Sequence, residues 1–275
     1  MRTPVNRKTL VPLVVVPVYV LLICAFVSAQ TGTSPDRSLT PLQTAIENQR
    51  ERLLSSDVEE RRDALMRLGN LHAVEASRAA VPALSDPSPI IRATAAKAVL
   101  SLEPNESVAV LLPLLKDKDE FVRREATYAL GRTRSRNATA ALGERLLNDK
   151  EDGVRAAAAV ALGNIADEAA IVSLAGTLAP ELASAGSSKR KREQNVFVLR
   201  AVAVALGQIG SRAATPALVA VLTNEKLDGD VRREAARSLG MIGDPAAASA
   251  LRAASTAADP FLSQIAYEAL RKLRS

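Results

Sequence analysis

The chain has 275 residues, 36 Lys and Arg against 30 Asp and Glu for a formal charge of +6, and only 3% aromatic residues with no tryptophan. A sheet core needs aromatic and β-branched enrichment, so this composition points to closely packed helices and an all-α protein. Without the first thirty residues, which carry Arg2, Arg7 and Lys8 but no acid, 33 basic residues face 30 acidic ones, a balance that is only weak evidence for a polyanion partner.

Residues 1–29 read MRTPVNRKTLVPLVVVPVYVLLICAFVSA: a cationic start, an apolar run from Leu10 to Val27, and small residues at the end. This is the grammar of a secretory signal peptide, cleaved after Ala29. If uncleaved, the same segment would be a membrane anchor, and it is the chain's one expected membrane contact. The protein is thus expected in an exported compartment: periplasm, cell envelope or medium. The single cysteine, Cys24, lies inside this segment, so the mature chain has no thiol for a disulfide or a metal. Residues 30–37 (QTGTSPDR) read as a flexible tether.

From residue 38 onward the chain repeats itself. SLTPLQTAIENQRERLLSS (38–56) reads as a lone, polar capping helix. The segments ERRDALMRLG (60–69), IRATAAKAVL (91–100), VRREATYALG (122–131), VRAAAAVALG (154–163), VLRAVAVALG (198–207), VRREAARSLG (231–240) and LSQIAYEALR (262–271) then superimpose without gaps. Apolar residues at the first, fifth, eighth and ninth positions, as in Val122, Ala126, Ala129 and Leu130, form one face of an α-helix. Glycine at the tenth position in five copies predicts a left-handed helix end there. A second apolar segment follows each copy, so the unit is helix, turn, helix, loop. Neither helix can bury its face alone, and the units must stack. The last copy, within 261–275, reads as a terminal half-unit.

This pattern resembles the HEAT-repeat superfamily, in particular the short alanine-rich HEAT-like repeats associated with phycobilisome lyases. The resemblance rests on the Val-Arg-Arg-Glu-Ala…Ala-Leu-Gly segments at 122–131 and 231–240, on MIGDPAAASAL (241–251), and on an Asp six residues before an Arg. It implies an all-α, right-handed α-solenoid of about six two-helix repeats with terminal half-repeats over residues 38–275. It also implies a ladder of Asp and Arg between adjacent units, at Asp86 and Arg92, Asp117 and Arg123, Asp149 and Arg155. The spacing departs from the family in the later units, where Leu199 and Ser263 occupy the Arg position and Asp228 and Asp230 crowd Arg232. In the family the second helices line a concave face.

Function is narrowed mainly by what is missing. Iron-dependent HEAT-like enzymes such as deoxyhypusine hydroxylase use several His-Glu pairs, and this chain has one histidine, His72. That histidine reads as a capping or solvent-exposed residue. No catalytic residue, metal site or cofactor is expected. Phe121, Phe197 and Phe261 each precede the first apolar position of a copy, which predicts a recurrent packing role rather than a pocket. Arg123, Arg155 and Arg232 fall at the ladder position, which argues against nucleic acid as partner.

The expected function is that of a non-catalytic protein–protein interaction module or assembly scaffold, whose partner is a protein. Polyanion binding, to nucleic acid or acidic glycan, and a lyase-type HEAT-like enzyme are the alternatives. Two elaborated loops mark one edge. A basic insertion at 179–195 contains Lys189, Arg190, Lys191 and Arg192, and a longer loop spans 224–230. The four cations are the candidate partner-binding residues, set against a plain solvated loop as the alternative.

Overall fold

The computed structural model describes residues 39–183 and 195–273. Contacts divide the chain into residues 1–44 and 45–275. Of the first, the described residues 39–44 open a helix, where Thr40 and Gln43 exchange backbone-to-side-chain hydrogen bonds of 2.9 and 3.2 Å. This is a capping box.

Among the described residues every regular element is helical: α1 (Pro41–Arg52), α2 (Val58–Asn70), α3 (Val74–Ala80), α4 (Pro89–Ala98), α5 (Pro104–Leu111), α6 (Glu120–Thr133), α7 (Thr139–Asn148), α8 (Asp152–Ile165), α9 (Ile171–Ala183), α10 (Val196–Ile209), α11 (Thr215–Thr223), α12 (Gly229–Ile242), α13 (Ala248–Ala254) and α14 (Pro260–Lys272). From α2 to α13 these form six pairs, with α14 a lone first helix, as the repeat count requires. Each first helix packs on the next, in the order α2, α4, α6, α8, α10, α12, α14. The second helices α7, α9, α11 and α13 form a parallel layer beside them. The core lies between the layers. Val122, Ala126 and Leu130 are fully buried, as are Val231, Ala235 and Leu239 at the same positions.

Short side chains start the first helices. Asp57, Asp119, Asn195, Asp228 and Asp259 each accept a hydrogen bond from the backbone N–H two residues on. Such caps satisfy donors that the helix itself cannot. Proline shapes the early second helices. Beyond α3 and α5 the chain tightens into 3₁₀ turns at Val81–Ser85 and Leu112–Lys116, each with proline near its start, at Pro82 and Pro113. The missing N–H of proline removes one α-helical bond there.

The tenth-position glycines do not end the helices, contrary to the sequence expectation. The helices continue past them, and the left-handed residue comes three positions later, at His72, Arg134, Ala166, Gly210 and Gly243. The glycines instead serve close packing. A Cβ on Gly131 would lie 2.7 Å from Ala161 Cα, and one on Gly240 would lie 2.7 Å from Ala269 Cβ. Each faces the eighth position of the next first helix. The absent side chain therefore sets how closely consecutive units approach.

Candidate functional site

A chain of buried ion pairs joins the first units. Arg61 Nε and Nη2 donate to Asp86 at 2.9 and 3.1 Å, Arg92 does the same to Asp117 at 2.7 and 2.8 Å, and Arg123 to Asp149 at 2.9 and 3.0 Å. Each partner lies 25 or 26 residues ahead, in the following unit. The remaining arm of each guanidinium reaches carbonyls just before its own helix, as from Arg92 Nη1 to Asp86 O at 2.8 Å and Pro87 O at 3.0 Å. The aspartates also accept from the backbone two residues on, from Ser88, Asp119 and Glu151 N–H at 2.8, 2.9 and 3.0 Å. Every guanidinium nitrogen and every carboxylate oxygen is thereby engaged, as a buried charge requires.

The electrostatics follow from this geometry. Burial pushes the Asp117 and Asp149 carboxyls up, but the hydrogen bonds from Arg92 and Arg123 and from backbone N–H groups outweigh it and leave both below the usual carboxylate range. Arg92 and Arg123 are raised, chiefly by the same hydrogen bonds.

The aspartate six residues before an arginine therefore gives it a backbone carbonyl, and its carboxylate goes to the arginine of the preceding unit. At Arg155 the fork ends: Nη1 bonds Asp149 O at 3.1 Å while Nη2 turns to Asp152 in its own helix. Leu199 is buried at the next ladder position. Farther on the pairing shifts by one residue. Arg233 bonds Asp259 at 2.8 and 3.0 Å, while Arg232 bonds the carbonyl of Leu222 at 3.1 Å. Arg61 and Arg233 were not singled out from sequence. The signal was present for Arg61, which holds the same repeat position as Arg92.

The second-helix layer offers open surface instead. Between α7 and α9 runs a groove of about 470 Å3, lined by Thr139, Gly143, Leu147, Val172 and Ser173, with Arg136 and Asp167 among its charged residues. Val172 is 81% exposed and Leu147 49%. Gly143 lets α7 and α9 approach closely at the groove, since a Cβ there would stand 3.0 Å from Ser173 Oγ. Asp167 is already engaged, accepting from Thr139 Oγ1 at 2.9 Å and from Ala169 N–H at 3.2 Å.

The other sequence candidates fall as follows. Helix α9 runs to Ala183, so the first five residues of the stretch read as loop at 179–195 are helical. Lys189, Arg190, Lys191 and Arg192 lie outside the described residues, as does the segment 1–29. The 224–230 loop is ordered by Asn224, which accepts from Lys226 N–H at 3.1 Å, and by Asp228 capping α12. Two of the phenylalanines are not core residues, whereas Phe121 packs partly buried against the core. Phe197 and Phe261 are 69% and 67% exposed, because their slot is the helix residue whose N–H the cap binds. Phe121 is half-buried, with Arg124 stacked over its ring at 5.3 Å. His72 is exposed at a left-handed turn. Among the described residues no three His, Cys, Asp or Glu side chains are grouped to hold a metal ion.

The described fold has relatives among solved structures. The complex of CpcE and CpcF of phycocyanin lyase from Nostoc is 26% identical, covering 90% of this chain and 92% of that one, with a TM-score of 0.47. Human deoxyhypusine hydroxylase is 22% identical over 83% of this chain and 84% of its own, with a TM-score of 0.41. The karyopherin Kap121p, bound to the extreme C-terminus of the protein phosphatase Cdc14p, is 13% identical over 86% of this chain and 30% of its own, with a TM-score of 0.54. No curated protein matches the sequence. The sequence profile described as HEAT repeats matches residues 46–131, 78–163, 110–182 and 190–271. Those matches cover most of the chain, and with the stacked helix pairs they place this protein in the HEAT-repeat family.

Proposed function

We propose that this HEAT-repeat protein is an exported, non-catalytic scaffold that binds a protein partner through its second-helix face, with the loop edge at 179–195 and 224–230 contributing. The observation that carries the reading is the uncovered apolar surface around the α7/α9 groove, where Val172 and Leu147 stand open to solvent in a layer otherwise packed. Buried stacking has already consumed the apolar faces that a solenoid needs for itself, so exposed Leu and Val on the free side are available to a partner. The ladder arginines support the same reading from the other direction. Arg61, Arg92 and Arg123 are held by aspartates and by carbonyls, which leaves them unavailable to the phosphates or sulfates of a polyanion. A karyopherin of this fold holds a protein terminus. Export is inferred from residues 1–29 alone, whose cationic and apolar pattern ends in Val-Ser-Ala.

The test is recovery of the protein from the extracytoplasmic fraction after mild cross-linking. The mature chain is expected there with Gln30 at its N-terminus and with one or a few proteins attached. Val172→Asp, or neutral residues at Lys189 to Arg192, should reduce that recovery at least severalfold. Retention of the N-terminal Met in the cytoplasmic fraction would overturn export. Identical recovery by all variants would overturn the assigned surface.

A further inference from the structure

A second open site lies on the opposite layer, across the first helices α2, α4 and α6. This cleft encloses about 510 Å3 and shares no residue with the α7/α9 groove. Its size is in the range of sites that hold ligands or peptide side chains. Met66, Ile90 and Phe121 supply apolar lining, with Met66 49% exposed. Every formally charged side chain in the lining is a cation: Arg62, Lys97 and Arg132.

These three are 35 residues apart, which is the 31-residue repeat plus about one helical turn. Each cation therefore stands one turn farther along its helix than the one before, and the three cross the stacked helices on a diagonal. With helix axes about 8–10 Å apart and about 6 Å of rise for each step, the outer two are roughly 20 Å apart. Arg62 is paired with Glu59 at 3.1 Å and Lys97 with Glu125 at 2.8 Å, with the cations 42% and 58% exposed. The Arg62 pair is exposed on both sides and contributes little, whereas Glu125, which holds Lys97, is only 12% exposed. Arg132 is exposed and has no ion-pair partner among the described residues.

We propose that this cleft binds an extended acidic segment of a partner polypeptide in which pairs of carboxylate residues alternate with pairs of apolar ones, so that each face of the strand carries both kinds. A row of carboxylates along a backbone matches cations spread over that distance, whereas the single head group of an anionic amphiphile meets only one of them. The apolar side chains of the segment cover Met66, Ile90 and Phe121, which a sugar or nucleic-acid backbone would leave wet. The inference rests on the reading of the chain as a protein-binding module but concerns a different face.

The probe is a fluorescein-labelled peptide of twelve residues alternating glutamate and leucine pairs, titrated with the purified mature protein and read by anisotropy at physiological salt. Saturable binding is expected with a Kd of about 10 µM, a modest affinity for a segment of this length. Arg132→Glu and Met66→Asp, both at exposed positions and checked for unchanged thermal melting, should each weaken it by about tenfold. The lysine-for-glutamate peptide should not bind. Absence of saturable binding, equal binding of the lysine peptide, or an unchanged Kd in Arg132→Glu would overturn the proposal, as would displacement of the probe by laurate at equal concentration. Val172→Asp is expected to bind the probe normally. A probe that does not bind while Val172→Asp still loses partner recovery would overturn this cleft alone, and a bound probe with undiminished recovery in Val172→Asp would overturn the second-helix surface alone.

Discussion

The Asp149 carboxylate accepts from Arg123 Nε, Arg123 Nη2 and Glu151 N–H, and only 2% of its side chain is exposed, against 6% for Arg123. Its folded pKa, like that of Asp117, lies below the unfolded value of about 3.9. Such a group contributes its full stabilisation above the unfolded pKa and loses it as pH falls through the folded one. The denaturant midpoint is therefore expected to hold from about pH 7 to 5 and to drop below about pH 4, where these carboxylates take up protons. Asp149→Asn should flatten part of that drop and, by leaving the Arg123 charge buried without its counter-ion, cost about 3 kcal/mol at neutral pH. A wild-type midpoint in Asp149→Asn at pH 7 would contradict the ladder's structural role. The participants Asp86, Arg92, Asp117, Arg123 and Asp149 were legible as a recurring Asp and Arg. Which carboxylate meets which guanidinium was not, because six residues of sequence separation bring Arg92 to the Asp86 carbonyl while stacking brings it to the Asp117 carboxylate.

Between elements, the tenth-position glycines decide spacing. Glycine in a helix interior is ordinarily worse than alanine by about 1 kcal/mol, so a substitution that merely restored helix propensity would stabilise. At Gly131 the added Cβ meets the Ala161 backbone at 2.7 Å, and the two helices must separate along a packed seam. Gly131→Ala is expected to destabilise by about 1–2 kcal/mol in chemical denaturation. Gly176→Ala in α9, where the new Cβ would be 3.7 Å from Leu147, should instead stabilise by up to about 1 kcal/mol. Equal signs for the two would refute the close-packing role. Sequence alone shows glycine recurring beside a helix end, and a helix-ending residue is the local explanation. The alternative needs the neighbouring helix, which local spacing does not contain. The phenylalanine slot misleads for the same reason: recurrence at Phe121, Phe197 and Phe261 marks the second residue after a cap, and repetition alone does not distinguish that from the core.

From residue 45 onward the described residues form a quasi-one-dimensional stack in which each unit buries its apolar face on the next. That architecture was readable from the apolar periodicity and the repeat spacing, since helices with faces of that kind have no other way to leave water. Surface function was less readable. Leu147 and Val172 belong to the same apolar second-helix segments as the fully buried Leu146 and Leu174, and one or two residues of rotation around the helix separate a core side chain from an open one. The central claim, that the second-helix face holds a protein partner without turning it over, is tested most directly by a photo-crosslinking amino acid placed at Val172 in the cells that make the protein, with the same probe at Val160 on the first helix α8 as reference. A discrete crosslinked protein adduct from position 172, absent from position 160 and undiminished with time, is the expected result. No adduct at 172 above that at 160, or an adduct whose partner is chemically altered in step with the protein's presence, would contradict it.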